Sequence, residues 1–124
     1  GADARRMRDE TGCAGVMIAR GSHGSPWVFA QARAALDGDP KPAEPSVEER
    51  FEICLEHARN GIRFEENPQK SLMDFRKHLG WYTKGLPGGR VLRTQLFQIT
   101  SLDEVEILLE AYLARHLAGA DEAA

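Results

Sequence analysis

Thr11-Gly-Cys-Ala-Gly-Val-Met-Ile-Ala-Arg-Gly-Ser-His-Gly-Ser-Pro-Trp-Val-Phe29 is the stretch on which the fold of the first third turns. Within it, Ala14 to Ala19 is a short apolar run without a polar face. Such a run predicts a strand buried on both sides, as in a parallel sheet. Upstream, residues 3–11 predict a short helix that Gly12 ends. Downstream, Arg20 to Gly24 is a glycine-bearing loop, and Ser25-Pro26 opens a helix running to about Leu36, with Ser25 as cap and Pro26 in the first turn. Helix, buried strand, loop and helix make one and a half units of an α/β architecture. A lone strand leaves its backbone groups and both faces without neighbours, and the remaining sequence supplies no second strand.

The rest of the chain reads differently. Asp37-Gly-Asp-Pro-Lys-Pro-Ala-Glu-Pro45 is a proline-rich linker with almost no large apolar residue. Beyond it, Ser46-Val-Glu-Glu49 fits a capping box, and Val47, Phe51, Leu55, Ala58 and Ile62 follow at helical spacing. Asn67-Pro68 starts a second helix with Leu72, Phe75, Leu79 and Tyr82 on one face, closing near Lys84-Gly85. Leu86 to Gly89 makes a turn, and a third helix spans about Arg90 to Gln98. Ser101-Leu-Asp-Glu104 is a second capping box, followed by the stripe Leu102, Val105, Leu109, Tyr112, Leu113 and His116. Four helices with short connections predict an antiparallel bundle over residues 46–118, with a frayed tail over 119–124.

Composition narrows the function classes. The chain has 124 residues, 42% hydrophobic and 28% charged, with net charge −3. No apolar run is long enough to cross a membrane, and Gly1 to Arg6 lacks the apolar core of a secretion signal, so a cytoplasmic location is expected. Cys13 and Cys54 form no CxxC pair and read as small core residues, while His23, His57, His78 and His116 match no metal-ligand spacing. No nucleophile–base pair marks a complete small enzyme; no catalytic or metal residue is assigned. The net charge conceals an asymmetry: Arg76 to Leu102 contains no Asp or Glu but holds Arg76, Lys77, Lys84, Arg90 and Arg93.

Two segments are candidates for binding. The loop Ala19 to Ser25 can present backbone N–H groups to a phosphate, or it is an ordinary connection between strand and helix. The segment Arg76-Lys-His-Leu-Gly-Trp-Tyr-Thr-Lys84 interleaves cations with Trp and Tyr. That suits a phosphate backbone with an occasional stacked base, or it is a solvated basic face above core aromatics.

Both segments resemble one family. Thr11 to Phe29 is similar to the last barrel strand and loop of tRNA-dihydrouridine synthases, whose pattern there is close to TGxDGVMIGRGxxGxPWxF. Arg76-Lys-His-Leu-Gly-Trp-Tyr-Thr-Lys-Gly-Leu-Pro-Gly-Gly-Arg90 resembles the family's RKHxxWYxKG segment. The resemblance implies an FMN-containing (β/α)8 barrel followed by a helical tRNA-binding domain. Residues 1–36 are then a helix–strand–helix remnant of the barrel, residues 37–45 the linker and residues 46–118 the helical domain. The implied reaction reduces a uridine C5–C6 double bond in tRNA with NADPH and FMN. Ala19 and Arg20 fall on the family's Gly-Arg pair at the FMN phosphate, with Ala in place of Gly. Arg76, Lys77, Tyr82, Lys84, Arg90 and Arg93 fall on a surface resembling the tRNA-contacting one. The family's catalytic cysteine, flavin-contacting lysine and Gly-Asn-Gly loop have no counterpart here, so the chain is expected to be an inactive C-terminal fragment. The expected partner is tRNA, with self-association through the orphaned strand. The other reading is a helical protein-interaction module.

Overall fold

A computed structural model describes the elements through residue 123 and the side chains through residue 117. The frayed tail expected over residues 119–124 lies outside the residues so described. The fold is mainly α, with six helices among the described residues, in order: α1 (Ala2–Thr11), α2 (Val28–Asp37), α3 (Val47–Phe64), α4 (Pro68–Tyr82), α5 (Gly89–Leu96) and α6 (Leu102–Ala123). A 3-10 turn, Arg20–Ser22, precedes α2. The chain divides into two compact units, Gly1–Pro45 and Ser46–Ala124.

In the first unit α1 packs on α2 through small residues, with Ala4, Ala32 and Ala34 buried. Gly12 ends α1 in the left-handed region at φ 70°, donating its N–H to the Arg8 carbonyl at 2.7 Å. The Arg8 guanidinium donates to the Leu36 carbonyl at 2.8 Å. Buried Gln31 donates to Glu44 at 2.9 Å, tying the linker to α2.

The strand expected over residues 14–19 does not form, and no strand occurs among the described residues. The segment runs irregularly from Gly12 to Ala19, with Met17 88% exposed. A strand is stabilised by the ladder it shares with a neighbour; an apolar run with none gains nothing from extension. The helix after the loop also starts later than Ser25-Pro26 suggests. Trp27 occupies the cap position of α2 without a side-chain cap bond. The Ser25 and Pro26 carbonyls instead accept the N–H groups of Val28 and Phe29, at 3.0 and 3.3 Å, in a turn leading into the helix.

In the second unit the local start signals operate. Ser46 accepts the Glu49 N–H at 3.1 Å, and Glu49 accepts the Ser46 N–H at 2.8 Å. Asn67 accepts the Lys70 N–H at 3.0 Å. Ser101 accepts the Glu104 N–H at 3.3 Å, but the Glu104 carboxylate turns to Thr100, accepting its N–H and hydroxyl. The contacts Gly61–Ser71, His57–Tyr82 and Arg50–Lys84 step in opposite directions along the chain, so α3 and α4 run antiparallel. Phe51–Tyr112 and Arg59–Glu106 show the same for α3 and α6. The core gathers Phe51, Cys54, Ala58, Leu72, Phe75, Leu79, Leu96, Val105 and Leu109.

Candidate nucleic-acid interface

The acid-free stretch folds into the second half of α4, a tight turn and α5, and internal contacts fix the turn. The Thr83 hydroxyl donates to the Leu79 carbonyl at 2.7 Å, closing the last turn of α4. Gly85 and Gly88, at φ 80° and 67°, reverse the chain in the left-handed region that favours glycine. Gly89 lies so close that an added Cβ would sit 2.9 Å from the Thr83 carbonyl oxygen. Arg93 on α5 donates to that oxygen at 3.2 Å. From α6, the Tyr112 hydroxyl donates to the Pro87 carbonyl at 2.6 Å.

Against this frame the six residues assigned to RNA separate into three groups. Lys77, Lys84 and Arg90 are exposed, and among the described residues none of them joins an ion pair. Arg76 and Arg93 are half-buried; each gives its guanidinium to a backbone carbonyl, Ile99 and Thr83 respectively. Tyr82 does not lie on the surface. It is 1% exposed, with its hydroxyl 3.1 Å from His57 Nδ1. Burial first, and then the neighbouring Cys54, push its phenol up to about 12. The spacing that puts Tyr82 in line with Leu72, Phe75 and Leu79 decides its position, and its adjacency to basic residues does not.

The other rings of the basic segment also belong to packing. His57 meets Phe75 and His78 with centroids 4.9 Å apart, and His78 meets Trp81 at 5.1 Å. Desolvation lowers the His57 pKa, favouring the neutral ring in this apolar cluster. An aromatic residue outside the segment takes the surface position: Phe97, at the end of α5, is 46% exposed and lies over Gly80. The signal for it in the sequence is Gly80 itself, a gap in the outer face of α4.

In the first unit Ala19 and Arg20 are exposed at the start of the 3-10 turn. Ala19 has φ −104°, so the methyl in place of the family's Gly meets no left-handed strain. The N–H groups of Ser22, His23 and Ser25 return to the carbonyls of Ala19, Arg20 and Ser22 at 3.0–3.1 Å. The loop is closed on itself, and Arg20 is its charged donor. It fits one edge of a phosphate site and not a complete cradle. Beside it, Met7, Val16, Met17, Ile18 and Val28 line an open groove of about 320 Å³. Cys13 is half-buried and Cys54 buried; no cluster of metal-ligating side chains occurs among the described residues. Nor is any helix of the described residues long and apolar enough to cross a membrane.

The Dihydrouridine synthase (Dus) family matches residues 1–117, spanning both the loop and the basic stretch. The chain belongs to the dihydrouridine synthase family. It is 44% identical over 108 residues to a probable tRNA-dihydrouridine synthase of Mycobacterium leprae, covering 86% of this chain and 28% of that protein. It is 40% identical over 109 residues to a probable tRNA-dihydrouridine synthase of Mycobacterium tuberculosis, covering 87% and 28%. With tRNA-dihydrouridine synthase B of Pasteurella multocida it shares 32% identity over 109 residues, covering 88% and 32%. The chain thus spans about 28–32% of the length of these dihydrouridine synthases. No solved structure gives a significant match.

Proposed function

We propose that this chain is the C-terminal part of a flavin-dependent, cytoplasmic tRNA-dihydrouridine synthase, and that its own contribution is to hold tRNA. The observation that carries this is the placement of Lys77, Lys84 and Arg90. They are exposed and, among the described residues, without ion pairs in an acid-free stretch, around a turn pinned from three sides. Cations on a fixed turn meet a phosphate backbone without further ordering of the main chain and release its counterions. Arg76 and Arg93 add charge behind them, fixed by their backbone acceptors.

The whole enzyme uses NADPH to reduce FMN, which when bound supplies the hydride for the uridine C5–C6 bond. Toward FMN this chain offers the Arg20 charge beside Ala19. The catalytic acid lies elsewhere in the enzyme, since Cys54 is sealed in the helical core and Cys13 sits ahead of the loop. The segment 14–19 is the last barrel strand when its neighbours are present, and the helical unit forms a four-helix antiparallel bundle. Alone, the chain reduces no uridine and self-associates through the exposed apolar segment.

Fluorescence anisotropy with a labelled, unmodified tRNA transcript tests the binding reading. The 124-residue chain should bind weakly, and the triple charge reversal Lys77→Glu, Lys84→Glu and Arg90→Glu should abolish binding. An unchanged affinity in the triple variant overturns the assignment of the surface.

A further inference from the structure

Phe97 lies across a gap that Gly80 leaves in α4. A Cβ built on Gly80 would meet the Phe97 ring at 3.1 Å (Cζ) and 3.3 Å (Cε1). The Cζ–Cε1 edge of the ring therefore rests at the place a Gly80 side chain would fill, while nearly half of the residue remains in solvent. Its surroundings are cationic. Arg76, four residues before Gly80 on α4, is held at the Ile99 carbonyl. Arg93, four residues before Phe97 on α5, is held at the Thr83 carbonyl. Lys77, three residues before Gly80, is exposed on the same side of α4. The Thr100 hydroxyl and N–H engage the Glu104 carboxylate at 2.8 and 3.2 Å and, well ahead of Arg76, lower its pKa.

We propose that Phe97 is a stacking platform for an unpaired RNA base, with Arg76, Lys77 and Arg93 taking the flanking phosphates. A ring held at its edge in the Gly80 gap is restrained, and every base has a π-face to lay on it. Cations on both α4 and α5 supply charge for the sugar–phosphate chain that flanks the base. A closed duplex offers no such base, so the platform selects single strands or splayed loops. The proposal rests on the tRNA-binding reading above and adds to it a residue outside the basic segment.

Anisotropy of the 124-residue chain with a labelled single-stranded oligouridylate and with an unmodified tRNA transcript tests it. Phe97→Ala should weaken oligouridylate binding about tenfold, with the slope of log affinity against log salt unchanged, because no phosphate contact is removed. Phe97→Tyr should restore binding. Gly80→Ala, whose methyl displaces the ring, should fall between wild type and Phe97→Ala. Lys77→Glu should weaken binding and reduce the salt slope. Phe97→Ala binding as tightly as wild type while Lys77→Glu binds weakly overturns the platform and leaves the tRNA surface standing. Full affinity in both variants overturns the tRNA surface and the platform with it. An acidic peptide bound with the same dependence on Phe97 overturns the assignment of a base as the occupant.

Discussion

Cys54 and Tyr82 show what burial does to residue types that otherwise suggest chemistry. Cys54 is 1% exposed, and desolvation pushes its thiol up to about 12, with nearby Arg50 opposing the shift. A thiol of this kind is neither nucleophile nor acid near neutral pH. Cys13 is only half-buried. Titration of the folded chain at pH 8 with a chromogenic disulfide reagent should therefore show one fast thiol, lost in Cys13→Ser, and a second that reacts only on unfolding. Two fast thiols would contradict the sealed position of Cys54. The core role of Cys54 was legible from its apolar neighbours. That of Tyr82 was legible only from its helical register, because the basic residues around it carry the opposite suggestion. Phe97 went unnoticed because its significance depends on Gly80, seventeen positions away in sequence.

Among the elements, what could be read is what is local. Capping residues bond within four positions, so the starts of α3, α4 and α6 follow from Ser46, Asn67 and Ser101. The strand over 14–19 failed for the opposite reason: its pairing partners are not local and none is present. Late α2 shows the same limit, since Ser25-Pro26 is equally a turn signal. The turn between α4 and α5 depends on a contact no local pattern announces, the Tyr112 hydroxyl on the Pro87 carbonyl. Tyr112→Phe should cost about 1 kcal/mol, lowering the unfolding midpoint of the helical unit by roughly 4–8 °C. Amide exchange should accelerate at Gly88 and Gly89 ahead of the α3 core. An unchanged midpoint and unchanged exchange there would show that the turn does not need this contact.

At the scale of the whole molecule, the two units differ in how far each is satisfied by its own contacts. The helical unit buries large side chains from all four helices, whereas the first unit buries mainly alanines and leaves Met7 and Met17 half or more exposed. Sedimentation velocity should show association of the 124-residue chain that rises with concentration, and Met17→Lys together with Ile18→Lys should suppress it. A concentration-independent monomer in the wild-type chain would rule out association through this segment. The charge layout of the helical unit has a different consequence. The chain carries a net charge of −3, yet within the helical unit Lys77, Lys84 and Arg90 stand exposed in a stretch without acids. Within a Debye length, a polyanion senses the local separation of charge and not only the sum. For the tRNA proposed above, such a field favours approaches that bring the basic turn round first.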